Sequence, residues 1–373
     1  MSELKVDKVS PRSGTYVSLN TVGMKNIIIN GDMSIAQRGT STSSVSTTQY
    51  PSLDRFQMYT QTAGSAVFTV SQDTDVPSGQ GFAKSQKIDV TTALDPYGAT
   101  NFTILRQRIE GQMLGYLKKG TSNAESLTLS FWVKSVKTGT YIVELYDNDN
   151  SRQISKSYTI DSASTWEKKT LTFAGDTSGS LTLDNSVAID LHFYLSVGSN
   201  YTSGTLNTSW NSVTTANRAV GQVNFADSAS NDFWITGVQL EAGTSASDFE
   251  FLPYDMNLQR CQRYYWQQIS SDSSTVRPVA VGSYIQNTYI EWTTQFPVQM
   301  RATPSLVSPT VTNGYEIYRA AAADSFNEVL LGNSTQYMAF LYNNTQVSGT
   351  GGQAGSIYCP NTYASSIAFS AEL

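Results

Sequence analysis

The sequence predicts an all-β protein: a jelly-roll or β-sandwich central domain, a short linking helix and a second, C-terminal β-sandwich. Three observations predict it. Short runs of alternating, β-branched and aromatic residues recur along most of the chain with Gly, Asn and Asp turn signals between them, as in sandwiches and jelly rolls. Charged residues make up only 14% of the 373, against roughly 25% in ordinary soluble domains, and Ser, Thr, Asn, Gln and Gly fill the gap, which suits exposed β-surface. One polar, helix-like stretch near residue 260 interrupts the β-pattern once.

The elements follow in order. Residues 1–25 have no sustained period and include Pro11 and Gly14; they could not bury enough surface to fold alone, and read as a segment that orders on docking or assembly. Residues 26–253 form the central domain. It opens with the apolar triplet Ile27–Ile29 before an Asn-Gly turn signal. Strand-like runs then follow: AVFTVSQ, SQKIDVTT, SLTLSFWVKSV, TYIVELYD, QISKSYTID, KKTLTFAG, AIDLHFYLSVG and DFWITGVQLEAG. LRQRIEGQMLGYLKKG starts as a strand and can pass into one or two helical turns. Residues 254–266 read as the helix. Asp255, after Pro253, can cap it, and Leu258, Cys261, Gln262 and Tyr265 fall on one stripe. Residues 267–373 supply a further set of short strands, from PVAVGSYIQ to SIAFSAEL. No fixed-period repeat or heptad is present.

Charge and cysteine content exclude several classes. The net charge is −6 with a pI of about 4.9, and no basic patch exists to grip nucleic-acid phosphates. No run approaches the roughly 18 apolar residues of a membrane span, and the first residues lack a signal-peptide core, so the chain is expected to start in the cytoplasm of the producing cell. Cys261 and Cys359 are the only cysteines; two thiols so far apart read as buried and free rather than as a disulfide framework.

Catalytic sets are missing. His192 is the one histidine; it alternates with apolar residues in IDLHFYL and reads as a packed strand residue. A Ser-His-Asp triad would need it, and no Gly-x-Ser-x-Gly elbow occurs. Asp147, Asp149, Asp161, Asp176, Asp184, Asp190 and Glu241 could supply a glycosidase pair, but the sequence cannot pair them. Asp147, Asn148, Asp149 and Asn150 crowd one hairpin turn. Hard oxygen ligands at that density make Asp147 and Asp149 candidates for a structural calcium, although Asp and Asn are also ordinary turn residues. Binding is then the expected chemistry. Aromatic rings stack on sugar C–H faces, and candidates lie in turn-rich segments, Tyr201, Trp210 and Tyr97, and in the last domain, Tyr284, Tyr289, Trp292, Tyr315, Tyr318, Tyr337 and Tyr342. Tyrosine-rich surfaces give contact area at little entropic cost. Phe131, Trp132 and Trp234 sit in apolar strands and are expected in the core.

Five motifs occur in a distinctive order: NIIINGDMSIAQRGTS, YPSLDRFQMY with Asp54, Arg55 and Phe56, LSFWVKS, ITGVQLEAG with Val238–Glu241, and FEFLPYDMNLQRCQRYYW with Cys261–Tyr265. The set, over about residues 26–266, resembles bacteriophage tail-fibre and tail structural proteins with a jelly roll like a carbohydrate-binding module. Gln37, Arg38, Gly39, Asp54 and Arg55 read as structural, with Asp54–Arg55 either a charge-paired corner or an ordinary surface pair. The resemblance implies a homotrimeric fibre protein on the particle surface. It would dock other virion proteins through its N-terminus and present β-domains to a host surface glycan, without catalysis. A purely structural virion protein, such as a head-decoration fibre or a tail collar piece, is the alternative, and a glycan depolymerase the minority one.

Overall fold

A computed structural model of the protein describes residues 24–269, 276–360 and 365–373. The N-terminal docking segment, all but its last two residues, lies outside the described residues. The first unit contains β1 (Ser41–Val45), β2 (Gln57–Gln61), β3 (Val67–Asp73), β4 (Ser85–Thr92), β5 (Phe102–Glu110), β6 (Leu127–Ser135), β7 (Gly139–Asp147), β8 (Arg152–Ile160), β9 (Glu167–Phe173), β10 (Val187–Val197), β11 (Asn211–Ser212) and β12 (Asp232–Ala242). They pair antiparallel into two six-stranded sheets, ordered β1-β3-β4-β12-β6-β9 and β11-β8-β7-β10-β5-β2. After β5 the chain makes two short 3-10 turns, Gly111–Met113 and Gly115–Leu117, where the sequence expects helical turns.

Strand periodicity places the core. On β10, Ile189, Leu191, Phe193 and Leu195 face inward and meet Phe131 and Val133 of β6 and Phe233 and Ile235 of β12. Burying each such side chain stabilises by about 1.5–3 kcal/mol. Residues 190, 192 and 194 take the opposite phase and point out of the sandwich. The same phase turns Trp132 and Trp234 to the outer side of the sheet: Trp132 is half-buried, whereas Trp234 is buried as expected, its ring under Lys134 Nζ at 4.1 Å.

The second unit contains β13 (Tyr265–Ile269), β14 (Arg277–Gln286), β15 (Tyr289–Gln295), β16 (Ser305–Val307), β17 (Tyr315–Arg319), β18 (Ala322–Phe326), β19 (Leu330–Leu331), β20 (Met338–Asn343), β21 (Ala354–Cys359) and β22 (Ile367–Ser370). A three-stranded sheet, β13-β22-β16, packs on a seven-stranded one, β18-β17-β21-β14-β15-β20-β19. Phe369 and Ile367 from the first share a core with Tyr284, Trp292, Tyr315 and Leu341 from the second. Among the described residues no helix is long and apolar enough to cross a membrane.

The helix α1 is Tyr254–Gln262, shorter than the 254–266 expected, and Pro253 rather than Asp255 occupies its N-cap position. Tyr265 and Trp266 leave it because their backbone pairs with Ser370 and Phe369 of β22. Nor is α1 a bare spacer. Asn257 Oδ1 accepts the Asn30 N–H at 3.3 Å, and Cys261 and Tyr264 pack with Ile29 and Ile35. Cys261 and Cys359 are both free and buried.

The five motifs mostly converge here. The Asn30 amide bridges the Ile35 and Asp54 carbonyls at 2.9 and 3.0 Å. Gly31 lies so close to β12 that a Cβ on it would stand 2.0 Å from the Val238 carbonyl oxygen, and Val238 N–H donates to Gly31 at 2.9 Å. Gln37 donates to the Tyr265 carbonyl at 2.7 Å. Asp54 and Arg55 do not form a surface pair. Each is buried and turned to a different partner: Asp54 accepts from Arg38 at 3.3 Å, and Arg55 pairs with Glu372 while its guanidinium covers the Tyr264 ring at 3.5 Å. Glu110 takes Arg263 through both oxygens, at 2.9 and 2.8 Å.

Candidate functional site

Two outer faces carry aromatic side chains. The first belongs to the seven-stranded sheet. Tyr284, Trp292 and Tyr315 point into the second core and are buried, so these three predicted ligand-binding residues cannot stack on anything outside the chain. Burial pushes the Tyr284 hydroxyl up to about 12, helped by its hydrogen bond to Asp324. The residues in the opposite phase do face outward. Tyr318 is 45% exposed, and Tyr289 and Tyr342 are half-buried, their rings 5.7 Å apart; Tyr337, 61% exposed, lies just before β20, outside the strand. Phe340 stands 6.2 Å from Tyr342. Cross-strand register sets Tyr318 beside Ser356 and Val281, and Ser283 beside Glu291 and Tyr342. The face is thus aromatic and hydroxylic with little charge.

The second face is the outside of the β11-β8-β7-β10-β5-β2 sheet. Alternation on β5, β7 and β10 brings Arg106, Arg108, Glu144, Tyr146, Asp190, His192 and Tyr194 to it. Glu144 accepts from Arg218 at 2.9 and 2.6 Å, from Tyr194 at 2.9 Å, and meets His192 Nδ1 at 2.8 Å. His192 lies between Tyr59 and Tyr146, with centroids 6.4 and 6.1 Å away. Arg106 covers the Tyr59 ring at 3.8 Å. Tyr201, Leu206 and Ala219 fold over one end of this face and pack on Phe102, Ile104 and Ile142. Burial raises the Glu144 carboxyl, but Arg218 and His192 outweigh it and hold the group at about 2. Asp190 is held down in the same way, by His192 and the two arginines against burial. Both carboxylates are therefore ionised, and neither keeps the proton that a general acid must donate.

The remaining predicted residues divide plainly. Tyr201 is half-buried as part of that cover, 5.7 Å from the Phe102 ring. Trp210 packs against the first core and donates from its indole to the Ala174 carbonyl at 2.8 Å. Tyr97 is buried and bonded to Thr103. The calcium candidates do not stand. Asp147 is wholly buried, its carboxylate takes the Lys119 ammonium and the Asn150 amide, and Asp149 caps the Thr182 N–H at 2.8 Å. A cation already neutralises the site. Tyr59, Tyr146, Arg108 and Arg218 were not singled out from sequence. The signal was the polar phase of TYIVELYD and AIDLHFYL, whose charged residues share one face only once the strands are paired.

No protein-family model and no curated relative matches the chain. Among solved structures it is similar to the enzymatically active domain of tailspike protein 4 of bacteriophage CBA120, at 17% identity over 58% of this chain and 21% of that one, TM-score 0.31. It thus spans about a fifth of the tailspike's length. It is also similar to a family 4 carbohydrate-binding module, at 14% identity over 57% and 97% of the two chains, TM-score 0.30. A family 11 carbohydrate-binding module from Clostridium thermocellum, solved with a mixed-linked tetrasaccharide, aligns at 12% identity over 56% and 98%, TM-score 0.25. Likenesses of this size assign no residue of this chain a role.

Proposed function

We infer that the protein is a non-enzymatic adhesin of a bacteriophage particle, which contacts a host surface glycan through the outer face of its seven-stranded sheet. The observation that carries this reading is the outward cluster of Tyr289, Tyr342 and Phe340, with Tyr318 on the same sheet face, among small hydroxyl residues. Such rings offer sugar C–H faces a rigid stacking surface, and the Ser and Thr hydroxyls between them offer hydrogen bonds. The non-enzymatic reading is supported by Glu144 and Asp190, which sit together on one aromatic face and are both held ionised, Glu144 by Arg218 and His192, Asp190 by His192, Arg106 and Arg108. The motif set favours a virion location, with residues 1–25 docking the particle and a homotrimer as the assembled form.

One observation favours the alternative of a purely structural virion protein. Val281, 73% exposed, lies on the same sheet face as the tyrosines, and exposed apolar surface also suits contact between copies. The full chain carrying Tyr318→Ala and Tyr342→Ala should remain folded and lose adsorption to host cells. Unchanged adsorption, with a smaller assembly by light scattering, would instead make this face a subunit contact. Release of reducing ends from host polysaccharide by the unaltered chain would refute the non-enzymatic reading.

A further inference from the structure

The outer face of the seven-stranded sheet carries charge of one sign only. Glu316 on β17 and Glu291 on β15 share the outward phase with Tyr318 and Tyr289, and the chain has no lysine after Lys169. The arginines of the second unit are turned elsewhere. Arg277 donates to the Ser365 carbonyl at 3.2 Å and Arg301 to the Ala371 carbonyl at 2.7 Å. Arg319 donates to the Ser348 carbonyl at 3.0 Å and covers the buried Tyr284 ring. Neither outward carboxylate therefore has a cation partner among the described residues.

Strand register sets aromatic rings around Glu291. It pairs with Tyr342 on β20 and with Ser283 on β14, and Tyr289 precedes it by two positions on the same side of β15. The Tyr289 and Tyr342 rings are 5.7 Å apart and inclined at 34°, and the Phe340 ring stands 6.2 Å from Tyr342. Phe340 is seated against Gly332, where a Cβ would stand 2.3 Å from the ring. Burial and the neighbouring Glu291 charge both raise the Tyr289 hydroxyl. A half-buried carboxylate among ring faces draws a cation in two ways, by its own charge and by the negative faces of the rings. A neutral sugar leaves that carboxylate without a counter-charge, whereas an ammonium supplies one. We propose that the glycan met by this face carries a free amino sugar, a hexosamine whose protonated amine lies between the Glu291 carboxylate and the Tyr289 and Tyr342 rings. The C–H face of the sugar rests on Tyr342 and Phe340, and the Ser283 hydroxyl stands in the same row to bond a ring hydroxyl. This deepens the adhesin reading and rests on it.

The test uses the full chain in calorimetric titrations at about pH 5.5, where a free amine is charged. The probes are a glucosamine oligomer, its fully N-acetylated counterpart, choline and a lysine oligomer. The glucosamine oligomer should bind roughly tenfold more tightly than the N-acetylated one, as one charge-assisted, ring-faced contact implies, and the preference should shrink with added salt. Glu291→Gln should bind the two sugars equally, Glu291→Asp should keep part of the preference, and Tyr342→Ala should weaken both sugars. The inference is overturned if neither sugar binds, if both bind the unaltered chain equally, or if Glu291→Gln keeps the full preference. It is also overturned if choline or the lysine oligomer binds more tightly than the amino sugar. Equal binding of the two sugars would remove this inference and leave the adhesin reading standing. That reading fails separately, if the Tyr318 and Tyr342 variant still adsorbs to host cells.

Discussion

Asp54 and Glu144 are wholly buried carboxylates that their surroundings push in opposite directions. At Asp54 burial wins: Arg38 and Gln37 offset only part of it, and the carboxyl is pushed up to about 6 from 3.8. At Glu144 burial is outweighed by Arg218 and His192, and the group is held at about 2, below 4.5. Linkage turns these into opposite slopes. Folded Asp54 binds its proton more tightly than the unfolded chain does, so its contribution is fully present below about pH 4 and lost as pH rises through 6. Glu144 contributes fully above about pH 4.5, and loses it as pH falls toward 2. Each shift is worth at most about 3 kcal/mol. Urea denaturation across pH 3 to 8 should show Asp54→Asn flattening the decline between pH 4 and 6. Glu144→Gln should cost about 3–5 kcal/mol at pH 7, because Arg218 is left buried without its partner, and should abolish that residue's share of the acid limb. An Asp54→Asn variant with the same pH 4–6 slope as the unaltered chain would show that Asp54 does not titrate there.

At the scale of elements, neighbouring strand positions should behave as different classes of residue. Tyr284→Ala empties part of the second core and should cost about 3–5 kcal/mol; Tyr318→Ala, in the outward phase of the same sheet, should stay within about 0.5 kcal/mol. Denaturation midpoints of the two variants check this, and equal losses would mean the strand phase is wrong. Much of this architecture was legible in the sequence. SQKIDVTT became β4 without a residue's shift, and most other quoted runs became strands. β1, STSSV, went unseen because it has no apolar alternation and exists through its pairing with β3. β2, QMYTQ, was hidden behind Pro51 and Asp54. The tyrosine density of the last unit was legible, but its phase was not, since register shifts at Pro278/Ala280 and Tyr284/Gln286 reset which side faces the core. The C-terminal end of α1 was misjudged for a related reason: its limit is set by β22, about a hundred residues later in the chain. The charged face around His192 stayed hidden because four separate strands supply it.

At the scale of the whole molecule, the last residues tie the two sandwiches together. Glu372 accepts from Arg38 at 2.9 Å and also pairs with Arg55, both on the first unit. Arg301, on the second, donates to the Ala371 and Glu372 carbonyls at 2.7 and 3.0 Å and reaches across to Asn185 at 3.0 Å. Arg55 is only 1% exposed, so its charge cannot be solvated if its partner is lost. A surface pair would be worth about 0–1 kcal/mol, but stranding a buried guanidinium costs about 3–5 kcal/mol. Tyr264 and the Arg108 carbonyl would still hold Arg55 in place, so Glu372→Gln should loosen the joint rather than unfold either core. Each sandwich has its own hydrophobic core, and each can melt separately once the coupling weakens. Scanning calorimetry of the unaltered chain should therefore show one joint transition, and Glu372→Gln should split it in two, with the lower midpoint displaced downward. Glu316→Gln, for which no ion pair is found among the described residues, serves as the control and should leave the trace unchanged. A Glu372→Gln protein that still melts in a single transition at the original midpoint would mean that the interface holds without this carboxylate.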